Sequence, residues 1–224
     1  MPTLTPGQIF LADRRLTHQD SRIRVESLSI NAGDEDEGCA QLLCLDDVTL
    51  AAGQQTGFET GASSYLLLLP VTGAVTHDGG MSDVGQIHMQ SIAASAHFSA
   101  QNTYAGDWIN FLMLHIRTRE ERLIEKKATI NYSLDAGDKR LSRVDFTPDF
   151  PALPFRVWIK QFSGREEAVH HCRGNAVFAF VIAGAFEAEG RLLHERDGLT
   201  LRNPQTIEFE ALSAHAVLLL IEFF

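Results

Sequence analysis

His170 and Cys172 stand two residues apart in the stretch EEAVHHC. Strand side chains alternate between faces, so residues at i and i+2 point the same way. An imidazole and a thiolate held side by side, once joined by a carboxylate, make a donor set for zinc or iron. The plainer alternative is a partly buried His beside a small hydrophobe, the usual role of a free cysteine in a core. His77-Asp78 follow Gly73 in THDG. They could be a His–carboxylate base, but no second catalytic partner is near in sequence, and Asp in such a position is ordinary turn chemistry. DEDEG at 34–38 lacks the alternating oxygens and closing glutamate of a calcium loop and is expected to be a solvated loop. His88, His115, His194 and His215 are scattered. No phosphate loop or Gly-x-Ser-x-Gly elbow is present.

The elements that must position these residues are short apolar runs broken by Gly, Asp and Asn. One series of expected strands covers Ile23–Ser29, Gln41–Leu45, Ser64–Leu69, Ala74–Thr76, Gln86–Ile92, Ala96–Ala100 and Trp108–Ile116. A second covers Phe155–Phe162, Ala176–Ile182, Ala185–Ala188, Gly198–Leu201, Thr206–Glu210 and Ala216–Glu222. Many short strands with turn signals between them indicate an all-β barrel or sandwich. FLMLHI and AVLLLIEFF are almost continuously apolar, as expected of strands buried on both faces. Between the series lies a charged stretch ending in DFTPDFPALP. It reads as a linker, with one helical turn around Glu120–Lys126. Both series share a strand, a Gly turn and a strand, which suggests a duplicated barrel.

Charge and composition narrow the partners. The 224 residues carry a net charge of −10, which argues against nucleic acid and against an anionic membrane, since both need a basic face. No segment approaches the ~20 apolar residues of a membrane-spanning helix. The start, MPTLTPGQIFLADRR, lacks the basic-then-apolar pattern of a secretory signal. Cys39, Cys44 and Cys172 are an odd number without zinc-finger spacing. A reduced, cytoplasmic protein is expected, with Cys39 and Cys44 as small core residues.

Several motifs taken together resemble the pirin family of two-domain cupins, to which quercetinase-like proteins also belong. LLCLDDVTLAAGQQTGFET resembles the entry to the family's first metal motif, LPVTGAVTHDG its hairpin, and VGQIHMQSIAASAHFSAQN its second metal motif, followed by the long strand INFLMLHI. IKQFSGREEAVHH and FVIAGAFEAEGRLLHERDGLTL resemble the smaller second cupin. The resemblance implies two cupin (jelly-roll) barrels, with residues 1–118 as the N-terminal barrel, 119–152 as junction and 153–224 as the C-terminal barrel.

The cupin template is Gly, five residues, His-x-His, then Glu and Gly at set spacing. Counted from Gly53, its ligand positions fall on Glu59 and Gly61, and those of the second motif on Phe98 and Ala100. A degenerate metal site is therefore expected in the N-terminal barrel, leaving a ligand pocket of Glu59, Ser63, Tyr65, His77 and Phe98. His97, one residue from a counted ligand position, should face outward. Counted from Gly164, the same template reaches His170 and Cys172, and farther on Glu208. These are the weak metal candidates. Glu208 and Glu210 alternate with Ile207 and Phe209, so an inward apolar pair would turn both carboxylates to solvent, with Cys172 packed against Phe178 or Phe180.

The expectation is a bicupin without its usual metal, acting as a regulatory module that binds a small molecule or a protein partner, with no cofactor. The alternative is a quercetin 2,3-dioxygenase-like enzyme with a non-standard site, which would need iron, zinc, nickel or copper. A structural or assembly role is the third class, because cupin folds host many unrelated functions.

Overall fold

A computed structural model of the chain describes residues 5–30, 40–61, 63–78, 80–119, 123–134 and 141–224. Cys39 and the DEDEG segment lie outside these residues, as do positions 120–122 of the expected helical turn. Two compact units are present: one formed by residues 15–131 and 146–151, the other by residues 1–14, 132–145 and 152–224. Both are built of antiparallel sheets, giving an all-β chain with two cupin barrels. Among the described residues no helix is long and apolar enough to cross a membrane.

In the N-terminal barrel a seven-stranded sheet runs, in spatial order, Lys126–Asn131, Gln86–Ile92, Ser64–Thr72, Ile109–Thr118, Ala40–Leu50, Ile23–Ser29 and Leu16–Gln19. The second sheet has the order Gln55–Thr60, Ala96–Gln101, Val75–His77 and Gly80–Ser82. Alternate residues of both sheets meet in one core: Val48, Leu50, Leu66, Leu68, Phe111 and Met113 from the first, Val75, Phe98 and Ala100 from the second. Leu67, Leu112 and Leu114, on the opposite face of the first sheet, are also buried. This explains the unbroken apolar run FLMLHI, which has no polar face to present.

The C-terminal barrel repeats the plan. Its six-stranded sheet has the order Gly7–Phe10, Gly198–Arg202, Ala176–Ala183, Ala216–Phe223, Phe155–Phe162 and Ser142–Arg143. Its small sheet is Glu167–His171, Thr206–Ala211, Phe186–Ala188 and Arg191–Leu193. Strand for strand, the small sheets have the same order, and so do the four central strands of the large ones. Even the turn glycines correspond. Gly73 and Gly184 both adopt positive φ, at 73° and 80°, and a Cβ would meet Ile109 in one case and Ser213 and Ala216 in the other. A left-handed turn pressed against a strand admits only glycine without strain.

The stretch expected to be a linker does more than connect. Lys126–Asn131 pairs along Gln86–Ile92, and Ser142–Arg143 pairs with Phe155–Phe162. The N-terminal barrel therefore runs past residue 118, and Lys126 starts a strand where a helical turn was expected. Its pattern is exposed and half-buried in alternation, so hydropathy alone gave no sign of a strand. The expected N-terminal domain also begins too early. Gly7–Phe10 pairs with Gly198–Leu201, and Ala12 N–H donates to Asp197 Oδ1 at 2.7 Å. These contacts are non-local, and nothing in GQIF announces them.

Because Gly7–Phe10 covers the edge strand Gly198–Arg202, its removal leaves unpaired backbone groups there. Deleting residues 1–10 is expected to lower the melting temperature by roughly 2–8 °C, the equivalent of about 1–2 kcal/mol. An unchanged thermal melt would show that this pairing contributes nothing.

Candidate functional sites

In the N-terminal barrel the counted template positions do not converge on a metal. Ladder pairing places His97 opposite Glu59 and Phe98 opposite Phe58. Phe98 and Phe58 belong to the core, so Glu59 and His97 lie on the other face. There His97 Nδ1 and Glu59 Oε1 are 3.0 Å apart, with the Glu59 side chain 85% exposed. His97 thus faces outward as expected. Gly61 carries no side chain, and Phe98 and Ala100 offer no donor, so these positions do not fit the family's metal.

The five residues expected to line one pocket are divided by the same alternation. His77 and Phe98 come together, their rings 6.0 Å apart. Glu59 faces solvent. Tyr65 is buried but alternates with the inward Leu66, so it faces away from the core. Ser63 sits in a turn at φ 52°, where its carbonyl accepts from Thr118 N–H at 2.8 Å.

What His77 does meet is His88, at a ring separation of 4.0 Å. His88 lies opposite Leu68 in the ladder, and therefore on the inward face of its strand. Its ring is also stacked 6.2 Å from Phe98. His77 Nε2 bonds Ser82 Oγ at 2.8 Å, and His88 Nδ1 bonds Thr129 Oγ1 at 3.1 Å. His88 Nε2 and, two residues along the same face, Gln90 Oε1 are buried and have no hydrogen-bond partner. Burial pushes the His88 pKa down to about 3, with the neighbouring His77 and the Lys127 cation adding to the shift. His77 is lowered too, first by burial and then by Lys127, against the opposing charge of Asp78. Both shifts favour the neutral imidazole. The sequence hid this group because QIHMQSI places Gln86, His88 and Gln90 on one face, the usual mark of a solvated face, whereas here that face looks inward.

A second group lies in the C-terminal barrel. Ala168 and His170 are the buried residues of their strand, and Ala168 joins the core. Ala216, Leu218 and Leu220 are in that core too, so alternation turns Glu222 to the same interior. His170, Cys172 and Glu222 bring an imidazole nitrogen, a sulfur and a carboxylate oxygen within 4.8 Å of one another. Among the described residues this is the one group of three such donors. Glu208 does not join it. It is exposed, while Ile207 and Phe209 fill the core, so the third carboxylate is Glu222. Nor does Cys172 pack against Phe178 or Phe180. The core cluster against which it packs contains the alternate residues Val177, Ala179 and Val181 and neither phenylalanine.

The surroundings of Glu222 are polar and ordered. Its Oε1 accepts from the backbone N–H groups of Arg173 and of Gly174, the latter at 2.6 Å. Its Oε2 lies 3.4 Å from His170 Nε2. Burial alone would raise its pKa, but the His170 contact and the two amides together hold it below the usual carboxylate value. The Cys172 thiol is pushed up to about 12 by burial and by the charges of Glu222 and Glu189. Trp158 meets the His170 ring edge-on at 4.6 Å. A cleft of about 610 Å³, lined by Leu141, Trp158, Ala168 and His170 among others, opens beside the group.

Comparison with known proteins agrees with this architecture. Residues 155–223 match the sequence model of the quercetinase C-terminal cupin domain. No curated protein sequence matches the chain. Among solved structures, the bacterial pirin YhhW of Escherichia coli in complex with nickel(II) superposes with a TM-score of 0.81 at 17% identity, covering 97% of this chain and 99% of that one. A quercetin 2,3-dioxygenase from Acinetobacter baumannii gives a TM-score of 0.72 at 13% identity, covering 96% and 85%. YhaK of Escherichia coli gives 0.70 at 16%, covering 95% and 94%. The chain thus shares the two-domain cupin fold of these structures, and its residues 155–223 match the quercetinase C-terminal cupin domain.

Two measurements check these geometries. A histidine kept neutral by the fold contributes stability that is complete above its unfolded pKa, near 6.5, and is lost as pH falls toward its folded value of about 3. The wild type is expected to lose on the order of 2–3 kcal/mol between pH 6.5 and 4 from this source. His88→Leu should flatten that slope in denaturant titrations at several pH values. Gly174→Val is expected to cost more than about 2 kcal/mol, because its Cβ would collide with the Phe223 carbonyl oxygen and crowd Glu222. A variant as stable as the wild type would show that this turn can shift.

Proposed function

We propose that the chain is a binding module whose N-terminal barrel takes a small molecule bearing hydroxyl or carboxyl groups, in place of the metal the family's motif would hold there. The observation that carries this reading is the pair of unpartnered buried atoms, His88 Nε2 and Gln90 Oε1, on one inward face beside the His77 and Phe98 rings. A buried polar atom left unpaired costs about 1–3 kcal/mol. A ligand that bonds both atoms removes that cost and gains ring stacking from Phe98. A neutral His88 imidazole can donate or accept at Nε2 according to tautomer. Expected roles are hydrogen bonding for His88 and Gln90, orientation of His77 by Ser82, and stacking for Phe98. A reduced, cytoplasmic setting is the compartment proposed.

The quercetinase-type second domain and the dioxygenase among the similar structures favour a second reading, oxygenation of a flavonol. That chemistry needs a metal with an open position, and the counted N-terminal positions provide no such donor set. The experiment is a thermal-shift screen of hydroxybenzoates and flavonols, quercetin included, run beside oxygen-electrode assays. At least one compound is expected to raise the melting temperature of the wild type by several degrees, without effect on His88→Leu, and with no oxygen uptake. Chelator-sensitive oxygen uptake with quercetin would establish the second reading instead. A screen without any stabilising compound would sink the binding role.

A further inference from the structure

We propose that His170, Cys172 and Glu222 form a zinc site at the mouth of the C-terminal barrel, with a fourth position open to the neighbouring cleft. Imidazole, thiolate and carboxylate are all zinc donors, and three protein ligands with one open place is the pattern of sites that keep a bound water. Ligand atoms on a tetrahedral zinc with bonds of ~2.0–2.3 Å lie roughly 3.3–3.6 Å apart. The 3.4 Å between His170 Nε2 and Glu222 Oε2 already has that spacing. All three donor atoms fall within 4.8 Å, so closing on an ion needs side-chain adjustment and no movement of the strands.

The surroundings favour a held ligand set over a plain ion pair. The Arg173 and Gly174 amides occupy Glu222 Oε1, which fixes the carboxylate plane and leaves Oε2 toward the histidine. Such outer hydrogen bonds are what orient metal-binding carboxylates. Trp158 fixes the His170 ring from its edge. The Cys172 thiol makes only a marginal polar contact, because its Sγ lies 4.0 Å from the His170 carbonyl, at the outer limit for sulfur. The cleft reaches His170 and supplies the path for water or a substrate group to the fourth position. A purely structural His170–Glu222 pair would make no use of the thiol.

That distinction defines the test. Full-length protein, reduced and metal-stripped, is titrated with cobalt(II) and watched for the near-ultraviolet thiolate-to-cobalt band. Zinc affinity is then read by competition with a chromophoric chelator. The wild type is expected to bind one equivalent with a thiolate band. Cys172→Ser should lose the band and weaken zinc binding at least tenfold, while the Cys39→Ser/Cys44→Ser double variant keeps both. Glu222→Gln should weaken binding with the band retained. If Cys172→Ser fails to fold, X-ray absorption on the zinc-loaded wild type must show one sulfur scatterer. A wild type with no stoichiometric binding or no thiolate band overturns the proposal, as does a folded Cys172→Ser with unchanged affinity. No residue is shared with the His77–His88 group, so this result leaves the N-terminal binding role to its own test.

Discussion

Alternation along the strand governs everything else in this protein. A β-strand turns successive side chains to opposite faces, so a register shift of one residue exchanges the interior set for the exterior set. In the N-terminal barrel that rule sends Phe58 and Phe98 inward and Glu59 with His97 outward. In the C-terminal barrel it sends Ala168, His170, Ile207 and Phe209 inward and Glu208 outward. The His77–His88 group of one barrel and the His170–Cys172–Glu222 group of the other both exist because a particular parity was chosen.

The duplicated topology makes the comparison between barrels direct. Ala100 pairs with His77 and Thr56 in the first, as Phe209 pairs with Ala188 and Ala168 in the second. Phe58 of one barrel therefore takes the place of His170 in the other, and Thr60 the place of Cys172. The donor residues have changed sides of the molecule's internal repeat: where the N-terminal barrel has Phe58 and Thr60, the C-terminal barrel has imidazole and thiol. Conversely, His77 answers to Ala188. His88 and Gln90 likewise answer to the core leucines Leu199 and Leu201, whereas Glu222 answers to another polar residue, His115.

Buried polar groups are treated in two ways. Lys160, almost fully buried, meets Glu166 at 2.7 Å and lies 5.1 Å from the Phe162 ring, a paired cation with a structural explanation. Glu222 is likewise satisfied, by two amides and an imidazole. His88 is the contrast, because one ring nitrogen has no protein partner. Buried polar atoms are nearly always bonded to something, which is why the ligand site is proposed at the N-terminal ring cluster and not at Lys160.

The sequence by itself determined the all-β class, the duplicated barrel and most of the strands. Ile23–Ser29, Gln86–Ile92 and Phe155–Phe162 are legible to the residue because apolar β-formers are bounded there by turn residues. It also determined that His170 and Cys172 share a face, since that needs only their spacing of two, and that Ile207 and Phe209 would displace Glu208 from the core. Edge strands such as Gly7–Phe10 and Lys126–Asn131 were not legible, because their partners lie far along the chain and their exposed faces carry no apolar signal. Glu222 was hidden at the end of an apolar run, and His88 in a strand whose polar face looked like a solvent face. Only the tertiary structure decided those, because the inward direction of a strand is set by the sheet packed against it and not by the strand's own residues.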